Sequence, residues 1–166
     1  MMTESDCNSM LGRSFRNIGW HCCKIPDFPF RSKDSRFTPD RPYDMFAFSD
    51  EYSYAIESKL SKSKNKKTVY ETFNFNKIEP HQLDNLVDAN ERKRSMGILA
   101  LYVWRKNEIK EVNIIPIDIV TAKMENSDYS FTPDFIANYP MKYNCYKDLF
   151  ALPMDLDKQL MKIKQV

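Results

Sequence analysis

The sequence predicts an α/β fold, a central mixed β-sheet flanked by helices. Three observations predict it. A helical apolar period opens the chain, with Cys7, Met10, Leu11, Phe15 and Ile18 near one face. A short apolar run, 45–48, and a second strand-like stretch, 52–60, are joined by the short polar turn Ser49-Asp50-Glu51, the pattern of an antiparallel hairpin. Residues 97–104, GILALYVW, form the most apolar run of the chain and suit a strand buried on both faces.

The elements follow in order. Residues 3–18 read as the first helix. Thr3 with Asp6 three positions on is a capping-box-like start, and Gly19 is a C′ stop. Residues 20–25 read as a strand that Pro26 closes. The stretch 26–42, PDFPFRSKDSRFTPDRP, holds four prolines and several charges, so it reads as a connection. The hairpin follows. Residues 69–75 resemble another strand, with Val69, Glu71, Phe73 and Phe75 on one side. Glu79-Pro80 is a helix entry, with proline in the first turn where its missing N–H costs little. That helix runs to about Arg94, with Leu83, Leu86, Val87 and Asn90 on one face. After the buried strand, 109–115 returns as a strand bounded by Pro116, and 117–124 reads as a short helix. Residues 129–144 carry aromatics and prolines without a clear period. Residues 153–166 read as a terminal helix with Leu156, Leu160 and Ile163 on one face, docking on the core or on a second subunit.

Bulk composition narrows the function. The 166 residues suit one domain with a sizeable core, covering 1–166. Only three glycines occur, and neither GxGxxG nor GxxxxGK[ST] is present, so no nucleotide cofactor is expected. A net charge of +2 means that any nucleic-acid affinity comes from local patches. No apolar run reaches membrane-spanning length and no secretory leader is apparent, so a cytoplasmic protein is expected. Cys7, Cys22, Cys23 and Cys145 match no zinc spacing and read as reduced thiols.

The chemistry concentrates in the hairpin. Side chains on a strand alternate faces, so Ala55, Glu57 and Lys59 share one face and Tyr54, Ile56, Ser58 and Leu60 the other. A hairpin brings Asp44 beside Glu57. Two neighbouring carboxylates repel unless a cation lies between them, and oxygen ligands favour Mg²⁺, with Mn²⁺ a substitute. Such an ion polarises a phosphate oxygen and acidifies a water. Lys59 is then placed to hold that water or offset transition-state charge. An exposed hairpin with a Glu–Lys pair on its wet face has the same spacing. Cations cluster on both sides. Arg31, Lys33, Arg36 and Arg41 interleave with Phe28, Phe30 and Phe37, as in a groove for phosphates and an unpaired base. Lys62, Lys64, Lys66 and Lys67 follow the second strand, as a phosphate-attracting patch or a solvated loop.

Asp44, an apolar strand, then Glu57-Ser58-Lys59 resembles the PD-(D/E)xK nuclease signature. The later run Phe75-Asn76-Lys77-Ile78-Glu79-Pro80-His81-Gln82 is similar to that of the RecU-type Holliday junction resolvases, as is the step of thirteen from Asp44 to Glu57. The resemblance implies a restriction-endonuclease-like core and a magnesium-dependent DNA endonuclease that resolves four-way junctions in recombination and repair. It implies catalytic Asp44, Glu57 and Lys59, and a metal held by Asp44, Glu57 and the Ser58 carbonyl with support from Gln82. It also implies a homodimer, since two symmetric cuts need two sites in fixed relation. In the wider fold an acidic residue of the first helix often joins the metal, with Glu4 and Asp6 the candidates. Two departures stand out. The segment matching the family's stalk, 26–42, is shorter, which bears on junction selectivity more than on cleavage. Pro42 replaces the usual threonine two residues before the aspartate. Related nucleases of other substrate choice, on flaps, single strands or specific duplexes, and a silent DNA-binding protein of the same fold are the rival readings. Lysine- and asparagine-rich composition points to an AT-rich bacterial or phage genome.

Overall fold

Thr3 caps the first helix as its spacing predicts. Its N–H donates to Asp6 Oδ2 at 2.7 Å, and its hydroxyl accepts from the Asp6 N–H at 3.3 Å. Two donors that the helix start would otherwise orphan are thereby satisfied. The structure, a computed structural model, describes residues 3–26, 41–63, 68–105 and 108–164. Helix α1 (Glu4–Asn17) buries Cys7, Met10, Leu11 and Phe15. It ends just before Gly19, whose φ of +86° lies in the left-handed region that glycine enters at little cost.

Strands β1 (His21–Lys24), β2 (Met45–Phe48) and β3 (Ser53–Lys62) then pair antiparallel in succession. Next come β4 (Phe73–Asn74), a single 3₁₀ turn (Phe75–Lys77), α2 (Pro80–Glu91), β5 (Ser95–Arg105), β6 (Glu108–Pro116) and α3 (Ile117–Glu125). The chain closes with β7 (Ser130–Phe131), α4 (Pro133–Asn138), β8 (Lys142–Tyr146), β9 (Leu149–Phe150) and α5 (Leu156–Lys164). Among the described residues the main sheet runs β1-β2-β3-β5-β6-β8-β9. Its β3–β5 pair is parallel, from Ser53↔Ser95 to Lys62↔Trp104, and its other pairs are antiparallel. Parallel neighbours need a crossover, and α2 supplies it. This is the mixed sheet flanked by helices that the sequence predicts. Strand β5 is buried from Ser95 to Trp104, as its unbroken apolar run requires.

The two faces of the sheet differ. On one, Tyr102 of β5 donates to Asn8 Oδ1 of α1 at 2.8 Å, and Tyr54 of β3 hydrogen-bonds Asp157 of α5. On the other, α2 lies close against β5. A Cβ on Gly97 would stand 2.8 Å from the Leu86 carbonyl carbon, closer than real Cβ atoms come. Only glycine lets the helix approach so far. Ile117, which opens α3, packs beside the same spot.

Two expectations are corrected, and one stretch without a clear reading is resolved into elements. Residues 69–75 do not form a strand; pairing is confined to Phe73 and Asn74, opposite the two residues of β7. Phe73 and Phe75 pack on Phe131, with ring centroids 6.5 and 4.8 Å away. Their alternation reflects a local aromatic cluster rather than one sheet face. Helix α2 stops at Glu91 instead of Arg94, because Arg92 is already extended with a ψ of 146°; Arg94, with a φ of +57°, then turns the chain into β5. The stretch 129–144, without period in sequence, contains β7, α4 and part of β8. Thr132 caps α4 by accepting from the Phe135 N–H at 3.2 Å. All four cysteines are free, and no helix of the described residues is long and apolar enough to cross a membrane.

Candidate active site

Strand β2 is shorter than its partner. Pairing with β3 begins at Met45↔Ile56, and the Asp44 N–H donates to the Ile56 carbonyl at 3.0 Å. Ile56 therefore turns its backbone polar groups toward β2, and by strand alternation Ser58 does the same, past the point where β2 has ended. The Ser58 N–H is caught by Asp44 Oδ2 at 2.9 Å. The Ser58 carbonyl opens on the same side. Its side chain points to the opposite face, with Oγ 3.5 Å from the Tyr102 hydroxyl.

Glu57 and Lys59 project toward α2. The Lys59 ammonium donates to Glu57 Oε1 at 2.6 Å and to Gln82 Oε1 at 3.0 Å. Gln82 Oε1 also accepts from the Glu79 N–H at 3.1 Å, so one oxygen both caps α2 and holds Lys59. Asp44 and Glu57 are each 1% exposed, and such carboxylates need partners. Arg41 pairs with Asp44 Oδ1, and Lys59 with Glu57 Oε1. Glu57 Oε2 has no hydrogen-bond partner. Burial, then the Asp44 charge, pushes the Glu57 carboxyl up to about 7, against the pull of Lys59.

The structure separates the two acidic residues at the start of α1. Glu4 is raised first by burial and then by Asp44, and it is also felt by Glu57, so it borders the site. Asp6 is exposed and committed to Thr3. Its charge serves the helix start and lies outside the cluster.

Other expected residues are distributed as follows. Arg41 lies against Asp44 rather than in an open groove. Lys62 is exposed, its ammonium 5.7 Å from the centre of the Trp104 ring. Arg31, Lys33, Arg36, Lys64, Lys66 and Lys67 lie outside the described residues. Two further cations on α1, Arg13 and Arg16, donate to the Asp148 and Cys22 carbonyls. His81 Nδ1 stands 3.4 Å from Glu79 Oε2. A wide cleft of about 860 Å³ between α3 and α5, lined by Ile119, Phe135 and Ile163, does not include Asp44, Glu57, Lys59 or Gln82.

Among the described residues no group of three or more His, Cys, Asp or Glu side chains is gathered to hold a metal. The donor set implied here is smaller: two carboxylates, one backbone carbonyl and one amide. It is all oxygen, it is anionic, and it contains a buried carboxylate oxygen without a partner. Those features fit a hard divalent cation.

The architecture has a counterpart among solved structures. The chain aligns with Hjc of Archaeoglobus fulgidus, a Holliday junction resolvase from an archaeal hyperthermophile, over 95% of this chain and 98% of that one. The identity is 16% and the TM-score 0.50. The fold is restriction-endonuclease-like. That likeness is one of architecture. No family model matches the sequence, and no curated protein does.

Proposed function

We propose that the protein is a metal-dependent DNA endonuclease that resolves four-way junctions by paired nicks, acting as a C2 homodimer. The observation that carries the reading is the convergence of Asp44, Glu57 and Lys59 where β2 ends, in a fold shared with a junction resolvase.

Asp44, Glu57 and the Ser58 carbonyl would hold Mg²⁺, with Mn²⁺ able to replace it. Bound there, the ion would polarise a phosphate oxygen and lower the pKa of a water. Glu57 Oε2 is the oxygen free for the task. Gln82 keeps Lys59 in place and would support the metal shell. A lysine ammonium has three donors, and Glu57 and Gln82 take two. The third is left for the attacking water or for a non-bridging oxygen of the phosphate, where charge builds in the transition state. Lys62, with Arg31, Lys33, Arg36, Lys64, Lys66 and Lys67, supplies the phosphate-binding charge, while Arg41 is held on Asp44. Two sites in fixed relation follow from twofold symmetry.

The test is Mg²⁺-dependent cleavage of a labelled four-way junction beside linear duplex, flap and single strand of matching sequence. Paired symmetric nicks on the junction alone are expected. Equal cutting of every substrate would keep the active site and remove the junction preference. No cutting with any divalent cation would leave a DNA-binding protein on a nuclease scaffold.

A further inference from the structure

A second feature borders the site on the β2 side. Phe46 is in register with Ala55, so it shares the face of Glu57 and Lys59. Tyr43 packs on it with ring centroids 5.8 Å apart, and Phe48 packs on its other side at 4.6 Å. None of the three is fully buried, and Phe48 is 41% exposed. Facing this strip, the C-terminal half of α2 presents Asn85 and Asp88, with Arg92 and Lys93 just beyond its end. Together Tyr43, Phe46, Asn85, Asp88, Arg92 and Lys93 line a cleft of about 380 Å³ that starts one residue from Asp44.

The chemistry of this cleft is mixed in a particular way. One wall is aromatic. The other holds an amide and a carboxylate, and Arg92 pairs with Asp88 at 2.5 Å. Asn85 Nδ2 donates to the His81 carbonyl at 2.7 Å, which fixes the amide and turns its oxygen to other partners. A purely apolar ligand would waste the polar wall, and a bare phosphate would meet Asp88. A nucleobase satisfies both walls: a π-face for Tyr43 or Phe46 and ring N–H or amino groups for the Asn85 and Asp88 oxygens. Lys93, in the same lining, adds positive charge for an adjoining phosphate, and Arg92 is held on Asp88.

We infer that the cleft between β2 and α2 binds one unpaired nucleobase of the DNA strand being cut, next to the scissile phosphate. The inference rests on the nuclease reading of the adjacent site. A paired base cannot enter a cleft bounded by a strand and a helix, so the base must leave the stack. Unstacking costs least where pairing is already weakened. Bases at a branch point meet that condition, and bases inside a continuous duplex do not. The subsite thus selects for branch points without reading a sequence.

The test uses the full chain in EDTA, so that nothing is cut. Two labelled single strands of equal length and equal phosphate count are compared, oligothymidylate and its abasic counterpart. Wild type is expected to bind the base-bearing strand roughly tenfold tighter, the scale of one base–aromatic stack. Phe46→Leu keeps an apolar side chain but no ring, and it should bring that ratio close to one. Tyr43→Leu repeats the measurement from the outer ring, and thermal melts monitored by circular dichroism confirm that each variant folds. Equal binding of both strands by wild type overturns the inference, as does an unchanged ratio in two folded variants. The two readings fail separately. Junction cleavage without base preference removes the subsite alone, and base preference in a protein that cuts nothing removes the nuclease alone.

Discussion

Asp44 Oδ2 accepts a hydrogen bond from the Ser58 N–H at 2.9 Å, across the point where β2 stops and β3 continues. One carboxylate oxygen thus closes the open edge of β3 while the other meets Arg41. Asp44→Asn keeps an oxygen for Ser58 but loses the charge. Junction cleavage should fall by roughly 10²–10³, the scale of a lost electrostatic contact to the reacting group. The melting temperature should move by only about 2–4 °C. A collapse in stability with a proportionate loss of cleavage would make Asp44 structural instead.

Glu57 gives a pH dependence with a definite sign. Its folded pKa is about 7, above the ordinary value of 4.5. Between those values the folded state holds a proton that the unfolded state releases, so stability falls as pH rises through this window and levels off above it. The loss is on the order of 3 kcal/mol. Melts in EDTA between pH 4.5 and 8 should show the decline, Glu57→Gln should flatten it, and Mg²⁺ should restore stability at pH 8. At subsaturating Mg²⁺, cleavage should rise with pH as the carboxylate forms and takes up the ion. A flat stability profile in EDTA would sink the assignment.

Lys59→Ala should lower junction cleavage by at least about 10² while leaving junction binding nearly intact. It also strips Glu57 of the partner that lowers its pKa, so the Glu57 titration followed by carbon NMR should move further up. Joint loss of cleavage and binding would argue that Lys59 is needed for the fold of the hairpin.

Gly97→Ala tests how the site is assembled. The added Cβ would collide with the Leu86 carbonyl, forcing α2 off the sheet. Overpacking of this kind costs about 1–3 kcal/mol. Because α2 carries Gln82, the Lys59–Gln82 contact should be lost as well. Cleavage should therefore drop more than in Gln82→Ala, measured at a temperature where both variants remain folded. Equal activity in the two variants would show that the approach of α2 matters only through Gln82.

Local pattern carried much of this architecture. Helix α1, its Thr3–Asp6 cap, the β2–β3 hairpin and the buried β5 are legible because periodicity and capping act over a few residues. The hairpin likewise made the nearness of Asp44 and Glu57 readable, since a short turn fixes which residues meet. Where periodicity misled, at 69–75, aromatic packing on Phe131 had produced an alternation that no strand pairing uses.

What sequence alone determined, then, is the α/β class and the pair of strands that brings Asp44, Glu57 and Lys59 to one place. Tertiary structure decided the rest. It set Asp6 apart from the site, because the cap turns Asp6 back onto Thr3, while Glu4 stays near enough for the Asp44 charge to act on it. It joined Lys59 to Gln82, 23 residues away, because Gly97 lets α2 sit down on β5. It set Arg41 on Asp44 and left one oxygen of Glu57 without a partner. Those relations depend on how helices seat against a sheet, and seating is a matter of side-chain volume between residues that local spacing does not bring together.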